Sequence, residues 1–134
     1  MGTHATGRFT IDRVSEEPFH ERDGVRLIRS RLTKTFTGDI EGTSSTEILM
    51  AYGHAEDSLV YLGFELIECT LHGRQGSFIL RHSAAGSGGV IAGSASIVPD
   101  SGTGELHHLR GSAELAVAPQ GTGTLLLLLD YELG

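Results

Sequence analysis

Glu65 and His82 are the two residues whose types and spacing most suggest proton chemistry. They lie in segment 61–83, which has the pattern of a β-hairpin with its turn within His72–Gln75. Side chains alternate between the two faces of a strand, so we expect Glu65 directly opposite His82 on one face. The same register pairs Cys69 with Phe78 and Ile67 with Leu80 on that face. A carboxylate and an imidazole are therefore predicted side by side on an otherwise apolar face.

Two interpretations of this pair remain open. In the first, it is an acid/base pair at a cavity mouth, because histidine transfers protons near neutral pH and a carboxylate orients the ring. In the second, the two groups only satisfy each other's hydrogen bonds inside the fold.

Further candidates for ligand contact share the predicted face. If the loop Gly53–Ser58 has six residues, Met50 lies opposite Tyr61 and Thr46 opposite Glu65, with Tyr52 on the same face. The tyrosines offer a ring and a hydroxyl to a ligand, or they are core residues. Lys34 is expected to bind an anionic group, to pair with Glu47 or Glu65, or to reach water from a strand end. The predicted substrate-contacting set is Tyr52, Tyr61, Met50, Phe78 and Lys34.

The other polar motifs do not match the spacing of a metal site or of a phosphate-binding loop, and we predict no cofactor. Glu105, His107, His108 and Arg110 follow a glycine-rich turn, but adjacent histidines diverge and no third ligand stands at a metal-site spacing. We therefore predict a solvated loop and no metal. Segment 101–104 lacks the Lys-Ser/Thr and the long helix of a phosphate loop. Cys69, on the apolar face, is predicted to be inert core.

Eight short apolar runs separated by turn residues predict an all-β chain. The strands are expected at about 6–12, 25–37, 43–52, 61–71, 76–83, 90–98, 111–118 and 123–133. An acidic turn-like stretch at 15–24, a flexible segment at 85–89 and a turn at 119–121 separate them, and one short helical turn is expected within 104–109. Strands joined in sequence without a long crossover favour an eight-stranded antiparallel up-and-down barrel, because closure removes exposed edges.

The composition of the chain limits the partners and the cellular location that we expect. The chain has 134 residues and a formal net charge of −7, which disfavours binding to nucleic acid or to anionic membranes. Its single cysteine excludes an intramolecular disulfide. Residues 1–8 lack the pattern of a signal peptide, and the longest apolar run, Leu125–Leu129, is too short to span a membrane. A single-domain cytoplasmic protein over residues 1–134 is predicted.

Five ordered motifs carry a resemblance to a known family. They are Lys34–Gly42, Leu49–Tyr52, Gly73–Ser83, Val98–Leu106 with Leu109–Gly111, and Leu129–Tyr131. Together they resemble the bacterial family called domain of unknown function 3224. Gly102-Thr103-Gly104 with Gly111 is also similar to the turn of the wider group of allene oxide cyclase and dirigent barrels. The resemblance implies an allene oxide cyclase-like, calycin-like barrel with an internal cavity.

Members of that wider group guide cyclisation or coupling of reactive apolar molecules, often without a cofactor. The resemblance therefore implies a small-molecule-binding barrel, either a cofactor-independent cyclase or isomerase acting through Glu65 and His82, or a lipocalin-like carrier without chemistry. The expected partner is a small apolar or amphipathic molecule. A homo-oligomer is a further possibility, as is a closed barrel that acts through association alone.

Overall fold

The computed structural model describes residues 2–55, 58–87, 90–118 and 123–134. Eight antiparallel strands form a closed barrel in which each strand pairs with its sequence neighbours and the last pairs with the first. The predicted up-and-down barrel is confirmed. The strands are β1 Thr3–Arg22, β2 Val25–Gly38, β3 Ile40–Tyr52, β4 Leu59–Leu71, β5 Arg74–Ser87, β6 Val90–Ile97, β7 Leu109–Val117 and β8 Leu125–Leu133.

Helical structure in the described residues is confined to one 3₁₀ turn, Gly104–Leu106, which confirms the expected helical turn. No helix of the described residues has the length and apolar character needed to cross a membrane. The predicted turn at 119–121 and residues 88–89 of the predicted flexible segment lie outside the described residues. Residues 85–87 belong to β5 rather than to a loop.

The first hairpin is longer than predicted, and the acidic turn at 15–24 is wrong. β1 continues against β2 as far as the pair Arg22 and Val25, with two bulges on the way. β8 pairs with β1 only up to Phe9, so the later part of β1 projects beyond β8 and is exposed on both faces. A strand without a buried face needs no apolar alternation, and Pro18 is tolerated next to a bulge. The polar composition of residues 15–24 is therefore similar to that of a turn, although the segment is mostly strand.

The β4–β5 hairpin has a tighter turn than predicted, and its register is shifted by two residues. His72 and Gly73 both adopt positive φ angles, of 46° and 81°, as a type I′ two-residue turn requires. Leu71 consequently pairs with Arg74, Glu65 with Leu80, and His82 with Gly63. The prediction that Glu65 lies directly opposite His82 is wrong. The shared face survives, because a shift of two residues leaves every side chain on its original side.

The apolar core fills one end of the barrel. Ile40, Leu71, Phe78 and Leu127 are fully buried there, together with Leu106 of the 3₁₀ turn. The segment before that turn is hydrogen-bonded along β5. The amide of Thr103 donates to the carbonyl oxygen of Ser77, and the amide of Ser77 donates to Thr103 Oγ1. Ser101 Oγ accepts from the amide of Ile79. The β6–β7 connection thereby closes this end of the barrel with Leu106.

Among the described residues, β6 and β7 form fewer residue pairs than any other two neighbouring strands of the barrel. We call the boundary between them the β6–β7 seam. β6 and β7 share only the pairs Ala95–Ala113 and Ser96–Ser112, whereas β5 and β6 share eight pairs. A cleft in the barrel wall lies beside these pairs and is lined by residues of both strands.

Candidate functional site

A single polar layer crosses the barrel interior beyond the apolar core. The buried polar and charged side chains of the described residues all come from the inward faces of β2 to β5: Ser30, Lys34, Ser44, Thr46, Glu65 and His82. Each strand contributes through the same alternation that buries its apolar neighbours. Adjacent strands thus bring together residues that are far apart in sequence.

Glu65 is the centre of this layer. Its side chain is fully buried, and its two oxygens have different partners. Oε1 accepts a hydrogen bond from His82 Nε2 at 2.7 Å, and Oε2 accepts from Ser44 Oγ at 2.6 Å. Lys34 Nζ lies 3.4 Å from both oxygens. The alternative in which Lys34 pairs with Glu65 is therefore the one found, while Glu47 pairs with Arg31 on the outer surface.

These contacts keep Glu65 ionised. Burial alone raises the pKa of the carboxyl group, but the hydrogen bond from His82, the charge of Lys34 and the hydrogen bond from Ser44 outweigh it, so that the pKa lies below its usual value. Lys34 also lies over the ring of Phe9, 4.6 Å from its centroid, so the ammonium group has a second favourable contact.

The ionisation of Glu65 determines the tautomer of a neutral His82. A carboxylate only accepts hydrogen bonds, so Nε2 of the imidazole must carry the proton that forms the 2.7 Å bond. In the neutral ring Nδ1 is then unprotonated and acts as an acceptor or a base. Glu65 contacts His82, Ser44 and Lys34, and its hydrogen bond to Nε2 fixes the orientation of the His82 ring.

We expect the lowered pKa of Glu65 to appear as acid sensitivity of the fold. A carboxyl group with a depressed folded-state pKa stabilises the protein above the unfolded value, near 4.5, and this contribution is lost as the pH falls through the folded value. Below pH 4.5 the free energy of unfolding should therefore fall more steeply for the wild type than for Glu65→Gln. Urea titrations at several pH values measure this difference.

The control for the acid experiment is Glu47→Gln, which removes an exposed carboxylate. Asp12 also has a lowered pKa, caused by hydrogen bonds from Thr35 and Thr10, but it is present in every variant and cancels in the comparison. Equal slopes for the wild type and Glu65→Gln below pH 4.5 would contradict the assignment.

Gly63 makes the His82–Glu65 contact possible. It is the residue opposite His82 and lies two residues before Glu65 on β4. Because Gly63 has no side chain, the imidazole can lean along β4 and reach Glu65 diagonally. Gly63 also allows β3 to approach closely, because a Cβ atom at Gly63 would lie 2.4 Å from the carbonyl oxygen of Glu47.

His82 also borders the cleft at the β6–β7 seam. The cleft has a volume of about 370 Å³ and is lined by His82 and Tyr61 on one side and by short residues of β6 and β7, including Ala95 and Ala113, on the other. Leu115 lies at its exposed edge. The imidazole thus connects the buried carboxylate to a space of ligand size.

The other predicted contact residues are divided between the open end of the barrel and its core. Met50 lies opposite Tyr61, as predicted, and both are half-buried. Tyr52 is also half-buried, and the guanidinium group of Arg26 lies 4.5 Å from its ring centroid. Phe78 is fully buried opposite Ile67 in the apolar core. Burial raises the pKa of Cys69 to about 11, which keeps it a thiol.

Sequence reasoning missed Ser44, which donates a hydrogen bond to Glu65. Its position two residues before Thr46 on β3 places it on the same face, so alternation was the available signal. Thr46 lies opposite Glu65 as predicted, and its buried Oγ1 has no hydrogen-bond partner among the described residues.

The histidine pair His107–His108 lies outside this layer. The two rings are 4.5 Å apart at an interplanar angle of 70°, and both residues are exposed. Across the described residues, no group of three or more His, Cys, Asp or Glu side chains is arranged to hold a metal ion.

Fold and site together define a closed eight-stranded antiparallel barrel with a buried glutamate–histidine pair beside a cleft. The chain belongs to the family of proteins of unknown function DUF3224, whose model matches residues 5–131. It is similar to a solved crystal structure of a DUF3224 protein of unknown function from Shewanella oneidensis MR-1, with 31% identity and a TM-score of 0.85. That similarity covers 100% of this chain and 98% of the other. No curated protein matches the chain.

Proposed function

We propose that the cleft binds a small, mostly apolar molecule and that His82 transfers a proton on it, as in a cofactor-independent cyclase or isomerase. One observation carries the proposal: a buried imidazole is held through Nε2 by an ionised carboxylate while its ring borders a cleft of about 370 Å³. A general base needs a fixed tautomer and access to its substrate. The hydrogen bond to Glu65 supports the first for His82, and its place in the cleft lining supports the second.

The lining of the cleft combines aliphatic and polar groups, which suits a ligand with an apolar body and polar substituents. Its aliphatic side chains are those of Ala95, Ala113 and Leu115, and its polar ones are those of Tyr61, His82, Ser94 and Glu114. Polar groups placed beside apolar surface are typical of sites that bind and orient small molecules.

The polar layer itself favours a second candidate, a carrier without chemistry. Lys34, Ser44 and His82 already satisfy Glu65, so the layer is also stable as a self-contained network. In that case the ligand would leave the barrel chemically unchanged.

Binding at the cleft is tested with the apolar fluorophore N-phenyl-1-naphthylamine. Leu115→Lys places a charge at the cleft edge and should weaken binding of the probe about tenfold or more, because each factor of ten corresponds to about 1.4 kcal/mol. Val117→Lys is the matched control: it is an exposed aliphatic residue of the same strand that does not line this cleft. Equal affinities for both variants and the wild type would exclude the cleft as the binding site.

Proton transfer is tested separately on a molecule extracted from the natively purified protein. Incubation of that molecule with the protein in deuterium oxide should give deuterium incorporation or an isomer, detected by mass spectrometry and absent with His82→Gln. An unchanged molecule would support the carrier. Nitrogen NMR of the imidazole adds an independent check, because Nδ1 should be the unprotonated nitrogen of the neutral ring.

A further inference from the structure

We propose that two copies of this chain associate through the outer face of β4. Val60, Leu62, Phe64 and Leu66 alternate along that face and are 41% to 58% exposed. Leu49 of β3, 51% exposed, lies directly beside Leu62. We call these five side chains the β4 stripe. They face away from Glu65, so the proposal is independent of the site inside the barrel.

The β4 stripe is continuous and large. The cross-strand pairs Leu49–Leu62 and Leu66–Ile79 extend it onto both neighbouring strands. With about half of each side chain exposed, the stripe presents on the order of 450 Å² of apolar surface, within the range for the largest patch on a monomer. Each partner buries roughly 800 Å² in a standard interface, and slightly more than half of that area is usually apolar. The stripe would supply an apolar area of this size.

The charges beside the stripe make it complementary to itself. Glu47, Phe64 and Arg81 form one cross-strand row, with the aromatic ring between the carboxylate and the guanidinium group. Arg81 is exposed and has no ion-pair partner among the described residues. Glu47 pairs with Arg31, but both side chains are largely exposed, so that pair is weak and leaves the carboxylate accessible.

A two-fold axis running along β4 would use this row twice. Rotation about that axis places β5 of one copy over β3 of the other, so that Phe64 meets Phe64 and Arg81 meets Glu47 of the second copy. The strands of the two copies would remain nearly aligned, as in face-to-face sheet packing. Self-complementarity of this kind favours a second copy over an unrelated partner.

Local charge also permits the contact despite the net charge of −7. The stripe is bordered on β2 by Arg29 and Arg31, which lie beside Leu49 and Glu47. Together with Arg81 on β5 they make three arginines, whereas the cross-strand row through Phe64 has one carboxylate, that of Glu47. Exposed Glu68, two residues beyond Leu66 on the same face, lies at the end of the stripe, where the axis brings it towards Glu68 of the second copy.

Sedimentation velocity of the full chain across micromolar concentrations tests the proposal. The wild type should sediment as a two-chain species, and Phe64→Lys should sediment as a single chain with a dissociation constant raised by about 100-fold or more. Val14→Lys is the matched control, because Val14 has the same 58% exposure as Phe64 but lies on β1. It should remain dimeric.

A charge exchange tests the orientation. Arg81→Glu should weaken the dimer about tenfold, and the double variant Arg81→Glu/Glu47→Arg should recover most of that loss, because the pair is restored with its signs reversed. A single-chain wild type, an assembly of another copy number, or a dimer insensitive to Phe64→Lys would overturn the proposal. Absence of recovery in the double variant would overturn the proposed axis.

Discussion

Replacement of Glu65 by leucine is expected to lower the free energy of unfolding by about 3–5 kcal/mol at neutral pH. The substitution leaves the Lys34 ammonium group buried without its counter-charge, and removal of one partner of a buried ion pair costs about this much. It also deprives Ser44 and His82 of their acceptor. Urea unfolding followed by circular dichroism measures the loss.

A double variant separates the charge from the packing. Lys34→Met/Glu65→Leu removes both ions and should be more stable than Glu65→Leu alone, because well-packed apolar side chains often replace a buried pair at little cost. If Glu65→Leu were as stable as the wild type, Glu65 could not be the buried counter-ion. If the double variant were no more stable than the single one, the uncompensated Lys34 charge could not be the cause.

Gly63→Ala is expected to destabilise the barrel by about 1–3 kcal/mol and to disturb the site. The added Cβ would lie 2.4 Å from the carbonyl oxygen of Glu47 and 2.9 Å from the Cα of Ile48, so the β4 backbone must move. Because Gly63 lies opposite His82, this movement should weaken the bond to Glu65. Thermal unfolding and the NMR signal of the Nε2 proton report the two effects.

Gly7→Ala is the matched control for this substitution. Gly7 also lies within a strand, where it is buried, but a Cβ there would contact the side chains of Ile40 and Phe36 at 3.2 Å rather than backbone atoms. Side chains yield by a few tenths of an ångström, so the loss should be smaller and the Nε2 signal unchanged. Equal stability losses for the two variants would contradict the proposed role of the close strand approach.

Much of the fold could be predicted because the turns are marked by glycine and the strands by alternation. The pairs Met50–Tyr61 and Thr46–Glu65 were predicted correctly from the length of one loop. The β4–β5 register was not, because the predicted loops, Gly73-Arg74 or His72–Gln75, are centred one residue beyond the turn that forms at His72-Gly73. The adopted turn requires a positive φ at His72. Glycine favours this conformation, and a histidine in the sequence does not predict it.

The sequence predicted which residues of the candidate site share a strand face, but it did not predict the contacts among them. Alternation placed Glu65 and His82 together, and it survived the register error. Several partners remained possible for Lys34, since the choice between Glu47 and Glu65 depends on side-chain direction across adjacent strands. The β4 stripe was not anticipated either, because the apolar face predicted for the hairpin was the one that carries Glu65 and His82, whereas the stripe lies on the opposite face.

The short pairing between β6 and β7 has a kinetic consequence. Among the described residues these two strands share two residue pairs, so their separation breaks few hydrogen bonds, and we expect the barrel wall to open there without unfolding the rest. Amide hydrogens of β6 and β7 should then exchange with solvent sooner than those of β3 and β4. The rate at which a molecule enters or leaves the cleft beside His82 would be set by this local opening.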